Sequence, residues 1–332
     1  MSDQLLLILI IAAALMYDFV NGFHDAANAI ATTIYTHALS PRYAIIMART
    51  LNFVGAMLNT AVAYTIGKGV VESNFITLPL LFAALMGAVL WGYLTWFFGL
   101  PSSSTHALIG GLAGVALFES GFDFAVLIGP GMRKILIAMV LSPLAGIVVG
   151  LVMITGLSWA VWRFKYRNTA KLFKRLQVLS AAFMSTSHGM NDAQNAMGVI
   201  TIALVAAGSI SEFHVPMWVR VASAFMIGLG TSVGGWRIMK TMGKKMTKLS
   251  EPIDGCAAET ASGAVILIAS LVGAPVSTTH VATGSIAGTA MAYRLGNVRW
   301  PVLLNILLAW VLTFPGAAIF GVLVVLLMRL AL

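Results

Sequence analysis

The run LLLILIIAAALMYDFV, from Leu5 to Val20, carries one charged residue in sixteen. Runs of this kind fill most of the 332-residue chain, several near the roughly 20 residues a helix needs to cross a bilayer. A membrane β-barrel would instead show short segments of alternating polarity. Composition points the same way: 59% of residues are hydrophobic and 9% charged, against about a quarter charged in soluble domains. The expected fold is an all-α polytopic membrane protein whose partner is the lipid bilayer. Only Asp3 precedes the first apolar run, with no basic n-region, so this run is expected to be a retained helix and not a cleaved signal.

The formal net charge of +9 does not imply nucleic acid, because the basic residues are clustered. Six lie in RFKYRNTAKLFKR (Arg163–Arg175) and five between Arg237 and Lys248. Clusters of this sort mark cytoplasmic loops and suit contact with anionic lipid. Cys256 is the only cysteine, which excludes an intrachain disulfide and a cysteine metal cluster.

Two motifs occur twice, in the same order. GFHDAANA from Gly22 aligns with GMNDAQNA from Gly189, and LPSSSTHALIGGLAG from Leu100 aligns with APVSTTHVATGSIAG from Ala274. The chain therefore reads as a duplication: an N-terminal repeat 1–165, a basic cytoplasmic linker 166–175 and a C-terminal repeat 176–332. Placing the basic clusters inside brings about 15 of the 20 basic residues to the cytoplasmic face. It gives the two repeats opposite orientations and leaves both termini outside. Inverted-topology repeats with broken helices or hairpins meeting at a midplane site are the expectation, as in many secondary transporters. Pro101 and Pro275 break the chain at each tip; whether the hairpins are full spans or re-entrant is open at this level.

Charged groups in mid-membrane are costly unless paired, hydrated or neutral. Asp25 and Asp192 recur at equivalent positions, each with an asparagine three residues on, Asn28 or Asn195, on the same helical face. Together with Asn191 they offer oxygen ligands for a hard cation such as Na⁺ and none suited to a transition metal; an interhelical hydrogen-bond network is the alternative. Ser103, Ser104 and Thr105, like Ser277, Thr278 and Thr279, sit between a proline and a glycine-rich helix. That is N-cap chemistry, and a helix start attracts an oxyanion. No Arg or Lys lies within the four motifs, so a bound anion needs co-bound cations. Each ligand then strengthens the other's binding, as in a symporter. His106 and His280 either orient the hydroxyls or are satisfied by neighbouring helices. His24 stands where the second repeat has Asn191, and either carries protons or replaces an amide. The glycines of the second motif read as close-packing positions.

With these motifs, the sequence resembles the inorganic phosphate transporter (PiT) family, whose signature pairs G-x-[NH]-D-x-x-N with P-x-S-[ST]-[ST]-H once per half. The resemblance covers nearly the whole chain. It implies phosphate uptake driven by Na⁺ or H⁺, no cofactor, and a homodimer in the plasma (inner) membrane. By motif position, Asp25, Asn28, Asp192 and Asn195 would hold cation and phosphate, and Ser103–Thr105 and Ser277–Thr279 would cradle phosphate. His24 and Gln194 depart from the commoner pattern. Sulfate is the rival oxyanion, but it cannot donate to a carboxylate as protonated phosphate can. An intramembrane hydrolase and an anion channel are the other rivals. Ser104 and His106 are two residues apart, so they do not share a helical face, and no HExxH motif is present.

Overall fold

The computed structural model describes residues 2–72, 75–249 and 251–331. Six helices form the first half: α1 (Asp3–Tyr35), α2 (Pro41–Ala56), α3 (Ala61–Gly69), α4 (Leu78–Phe98), α5 (Ser104–Glu119) and α6 (Gly129–Val161). Six follow in the same order of lengths: α7 (Tyr166–Ala206), α8 (Met217–Val233), α9 (Trp236–Lys240), α10 (Pro252–Leu271), α11 (Thr278–Tyr293) and α12 (Trp300–Ala331). A π-helical turn, Thr241–Lys245, extends α9. Residues 166–175, expected as a linker, are helical and form the first turns of α7.

Five helices are long and apolar enough to cross a membrane, or up to seven if the bent pairs α2–α3 (68°) and α8–α9 (60°) each count as one span. Gly234 and Gly235 separate α8 from α9, and Gly234 takes a positive φ of 74°. The 41-residue α7 is not among the five. Its middle holds Ser185, Ser187, His188, Asn191, Asp192, Gln194 and Asn195, all buried, and these lower its hydropathy because they face protein and not lipid. The lipid-facing pattern lies on α6 and α12. Leu136, Val140, Leu144 and Val148 recur every fourth residue and are exposed, as are Leu304, Leu308 and Val311.

The halves exchange partners. α1 packs on α8 and α2 on α7; α5 packs on α12 and α11 on α6. The first motif residue of each half explains how the first two crossings come so close. A Cβ on Gly22 would lie 2.2 Å from the Ile227 carbonyl oxygen on α8, and a Cβ on Gly189 would lie 2.1 Å from that of Asn52 on α2. Only glycine permits backbones to meet at this separation, as at small-residue interfaces in membranes.

α5 and α11 have 16 residues each, a rise of about 24 Å against a hydrocarbon thickness of about 30 Å. Both begin inside the protein: Ser102, Ser103, Ser277 and Thr278 are buried. The pairs α4–α5 and α10–α11 are thus hairpins whose tips end in the core. Each tip is closed by its serine, with Ser103 Oγ accepting from the His106 N–H and Ser277 Oγ from the His280 N–H, both at 3.1 Å.

Gly189→Ala and Gly22→Ala are expected to destabilise the fold by about 1–3 kcal/mol through overpacking. Gly156→Ala, whose Cβ meets nothing within 4 Å, is the neutral control. Thermal unfolding in detergent, followed by size-exclusion recovery, checks the difference.

Candidate functional site

Asp25 lies in the second half of α1 and Asp192 in the middle of α7, each buried to 1% exposure. The two helices bring them together. One ligand atom each from Asp25, Asp192 and His188 lie within 4.8 Å of one another. Two unit negative charges about 4 Å apart repel by about 4 kcal/mol even at an effective dielectric of 20. No lysine or arginine is buried among the described residues, so the bases that approach the two carboxylates are imidazoles, those of His24 and His188.

The hairpin tips supply the donors, from the carboxylate's own half and, in one case, from the other half. On α11, Thr279 donates to Asp25 Oδ1 (3.1 Å) and Thr278 to Asp192 Oδ2 (3.0 Å). On α5, Ser104 donates to Asp25 Oδ2 at 3.4 Å. The asparagines complete a reciprocal pair. Asn28 of α1 donates to Thr279 of α11 (3.0 Å), and Asn195 of α7 donates to Thr105 of α5 (2.9 Å). The side-chain oxygens of Asn28, Asn191 and Asn195, and Oδ1 of Asp192, have no hydrogen-bond partner in the protein. Buried polar atoms are almost always satisfied, so these four open oxygens, three from amides and one from Asp192 itself, are of the kind a hard cation takes.

Each carboxylate also has one imidazole, reached differently. His24 Nδ1 lies 2.7 Å from Asp25 Oδ1, with its other nitrogen near Thr95 (3.2 Å) and Ser102 (3.3 Å). His188 Nε2 lies 3.2 Å from Asp192 Oδ2, one turn along α7, and its Nδ1 meets Asn52 at 3.0 Å. Asn191, the counterpart of His24, donates to Ser270 at 2.9 Å. Asn21 lies between the carboxylates; with its amide nitrogen turned toward them, Asp25 Oδ2 (3.1 Å), Asp192 Oδ2 (3.3 Å) and Ser104 Oγ (3.2 Å) are all within reach of its two hydrogens.

Asn21 and His188 were not expected as site residues. They align with each other in the duplication and stand four residues before each aspartate, a helical spacing that could have found them. His106 and His280 do not reach the carboxylates. Their rings meet each other at 4.8 Å between centroids, and His280 stacks on Trp310 at 3.7 Å. Ser103 and Ser277 serve as the helix caps described above, leaving Ser104, Thr105, Thr278 and Thr279 directed at the site. Gln194 faces away: its Oε1 accepts from Val62 and Ala63 N–H (2.7 and 3.0 Å), capping α3. These polar side chains are buried except for Ser104, which is partly exposed.

A second buried polar cluster lies farther along α1. Glu259 of α10 accepts from Thr32 and Thr33 at 2.5 Å, Gln177 at 3.2 Å and Ser180 at 2.6 Å, tying α1, α7 and α10 together.

A helical membrane bundle with hairpin tips and paired carboxylates around an enclosed polar site defines a membrane transporter. The profile described as the phosphate transporter family matches residues 21–321. A probable low-affinity inorganic phosphate transporter of Bacillus subtilis is 44% identical over 320 residues, 96% of this chain and 95% of that one. One from Rhizobium meliloti is 45% identical with the same coverage. A solved structure, described as the sodium-dependent phosphate transporter, superposes with a TM-score of 0.90 at 26% identity, covering 98% of this chain and all of that one. The chain belongs to the phosphate transporter family. It is a transporter and not an enzyme.

Thr279→Val keeps the side-chain shape and removes the donor to Asp25. A buried hydrogen bond to a charged group contributes about 1.5–3 kcal/mol, so initial phosphate uptake by reconstituted protein is expected to fall on the order of tenfold to a hundredfold. Thr105→Val, which removes the acceptor of Asn195, is expected to act in the same direction.

Proposed function

We propose that the chain imports inorganic phosphate across the plasma membrane by symport with a cation, Na⁺ or H⁺. Phosphate is held by the hydroxyls of Ser104, Thr105, Thr278 and Thr279 and by the N-termini of α5 and α11, which Ser103 and Ser277 cap. Positive helix ends favour an oxyanion. Cations sit at Asp25 and Asp192 with the amide oxygens of Asn28, Asn191 and Asn195. The two halves, 1–165 and 176–332, act as inverted-topology repeats with both chain termini outside, and the working unit is a homodimer.

The observation that carries this reading is the convergence of Asp25 and Asp192, from two halves, onto neighbouring threonines of one hairpin tip, Thr279 and Thr278 of α11, without a buried lysine or arginine among the described residues. An anion entering beside two carboxylates is repelled unless cations enter with it. Cation and anion therefore bind cooperatively, and the ion gradient does the work of accumulation. The carboxylates also favour phosphate over sulfate, because protonated phosphate can donate to them and sulfate can only accept. Likeness to a solved sodium-dependent phosphate transporter supports Na⁺ as the first cation to test.

Uptake of labelled phosphate into proteoliposomes, with Na⁺ and pH gradients imposed separately, is expected to follow at least one gradient. Asp25→Asn and Asp192→Asn are expected to abolish gradient-driven uptake while the protein still inserts and elutes as a folded species. Uptake indifferent to both gradients refutes symport.

A further inference from the structure

Asp18 is a buried carboxylate of α1 that the site above does not use. It is fully enclosed (0% exposed), three residues before Asn21 and seven before Asp25. At 3.6 residues per turn the three side chains share one face of α1, with Asp18 about 10 Å from Asp25 along the axis. α8 packs against α1. Where Gly22 meets Ile227 and Thr231, the two backbones touch; one turn back along both helices, Ser223 is the polar side chain beside Asp18.

Ser223 approaches the Asp18 carboxylate as a donor, but too loosely for a formed bond: neither Asp18 oxygen nor Ser223 Oγ, also 0% exposed, has a partner in hydrogen-bond geometry. Glu259 is equally buried, yet four side-chain donors complete it. A buried carboxylate saturated by its own protein ties helices together. One approached only by a loose hydroxyl has to take up a positive charge, a proton or a bound cation, since a bare buried charge is the costliest group a core can hold.

The surrounding groups do not provide that partner. The hydroxyl of Tyr17 accepts from Asn195. Asp192 on α7 acts on Asp18 across the interface but is itself a carboxylate. Arg220, one turn before Ser223 on α8, donates to the Met57 carbonyl and makes no ion pair with Asp18.

We propose that Asp18, with Ser223, holds a coupling cation of its own, a third counter-charge on the stripe that leads along α1 to Asp25. The oxygen-only ligands suit Na⁺ or a proton, either of which places one positive charge on the carboxylate. The site rests on the coupled-transport reading and gives it a stoichiometric consequence.

The test measures charge moved per phosphate, from parallel current and labelled uptake in proteoliposomes. Asp18→Asn is expected to lower that ratio by one elementary charge, and Asp18→Glu to restore it. If the cation is Na⁺, the steepness of Na⁺ activation falls at fixed pH. If it is a proton, the response to an imposed pH gradient is lost and Na⁺ activation is unchanged. Ser223→Ala is expected to keep the ratio and raise the activating cation concentration several-fold, which carries the test should Asp18→Asn not fold. A folded Asp18→Asn protein with wild-type charge per phosphate and unaltered Na⁺ and pH responses overturns the site, as does an unshifted Ser223→Ala where Asp18→Asn is lost. Wild-type uptake that ignores both gradients overturns the coupled reading itself, a separate outcome.

Discussion

Two carboxylates share a cluster inside an apolar bundle, and the rest of the molecule is arranged around that fact. Asp25 and Asp192 are surrounded by hydroxyls, amides and imidazoles, and no buried lysine or arginine accompanies them among the described residues. Hydrogen bonds from Thr278, Thr279, Ser104 and Asn21 lower the cost of burial. They do not cancel two negative charges in a medium of low dielectric. The buried bases that approach them are the imidazoles of His24 and His188, one for each carboxylate.

The helix crossings make this cluster possible. Gly22 and Gly189 open the first motif of each half, and each lets its helix touch the backbone of a helix from the other half. With α1 held to α8 and α7 to α2, the carboxylate helices are built into the opposite half from the start. Two bonds at the hairpin tips follow the same pattern. Thr279 on α11 donates to Asp25 on α1, and Thr105 on α5 accepts from Asn195 on α7. A displacement of either hairpin tip therefore alters both half-sites together, and the cluster behaves as one unit.

Much of this was legible in the sequence. Long apolar runs predicted the helical bundle, and the recurrence of GFHDAANA as GMNDAQNA predicted that Asp25 and Asp192 belong to one design. Helical spacing placed Asn28 and Asn195 beside them. What periodicity does not contain is the identity of the neighbour across a helix face. The exchange of threonines between halves, the mutual contact of His106 and His280, and the use of Gln194 to cap α3 are all set by tertiary crossings. Residues 166–175 read as a basic linker, but nothing in them breaks a helix, so α7 runs through. Asn21 and His188 match each other only by position, an amide against an imidazole, so residue type does not pair them.

That mismatch has a consequence. In repeat one the imidazole is at 24 and the amide at 21; in repeat two the imidazole is at 188 and the amide at 191. Two identical half-sites would hold their carboxylates in equivalent surroundings. Swapping the imidazole and amide between the neighbouring residue and the preceding turn removes that equivalence. Asp25 is met by His24 through Nδ1 from the adjacent residue, and Asp192 by His188 through Nε2 from one turn back, so the two carboxylates are chemically distinct.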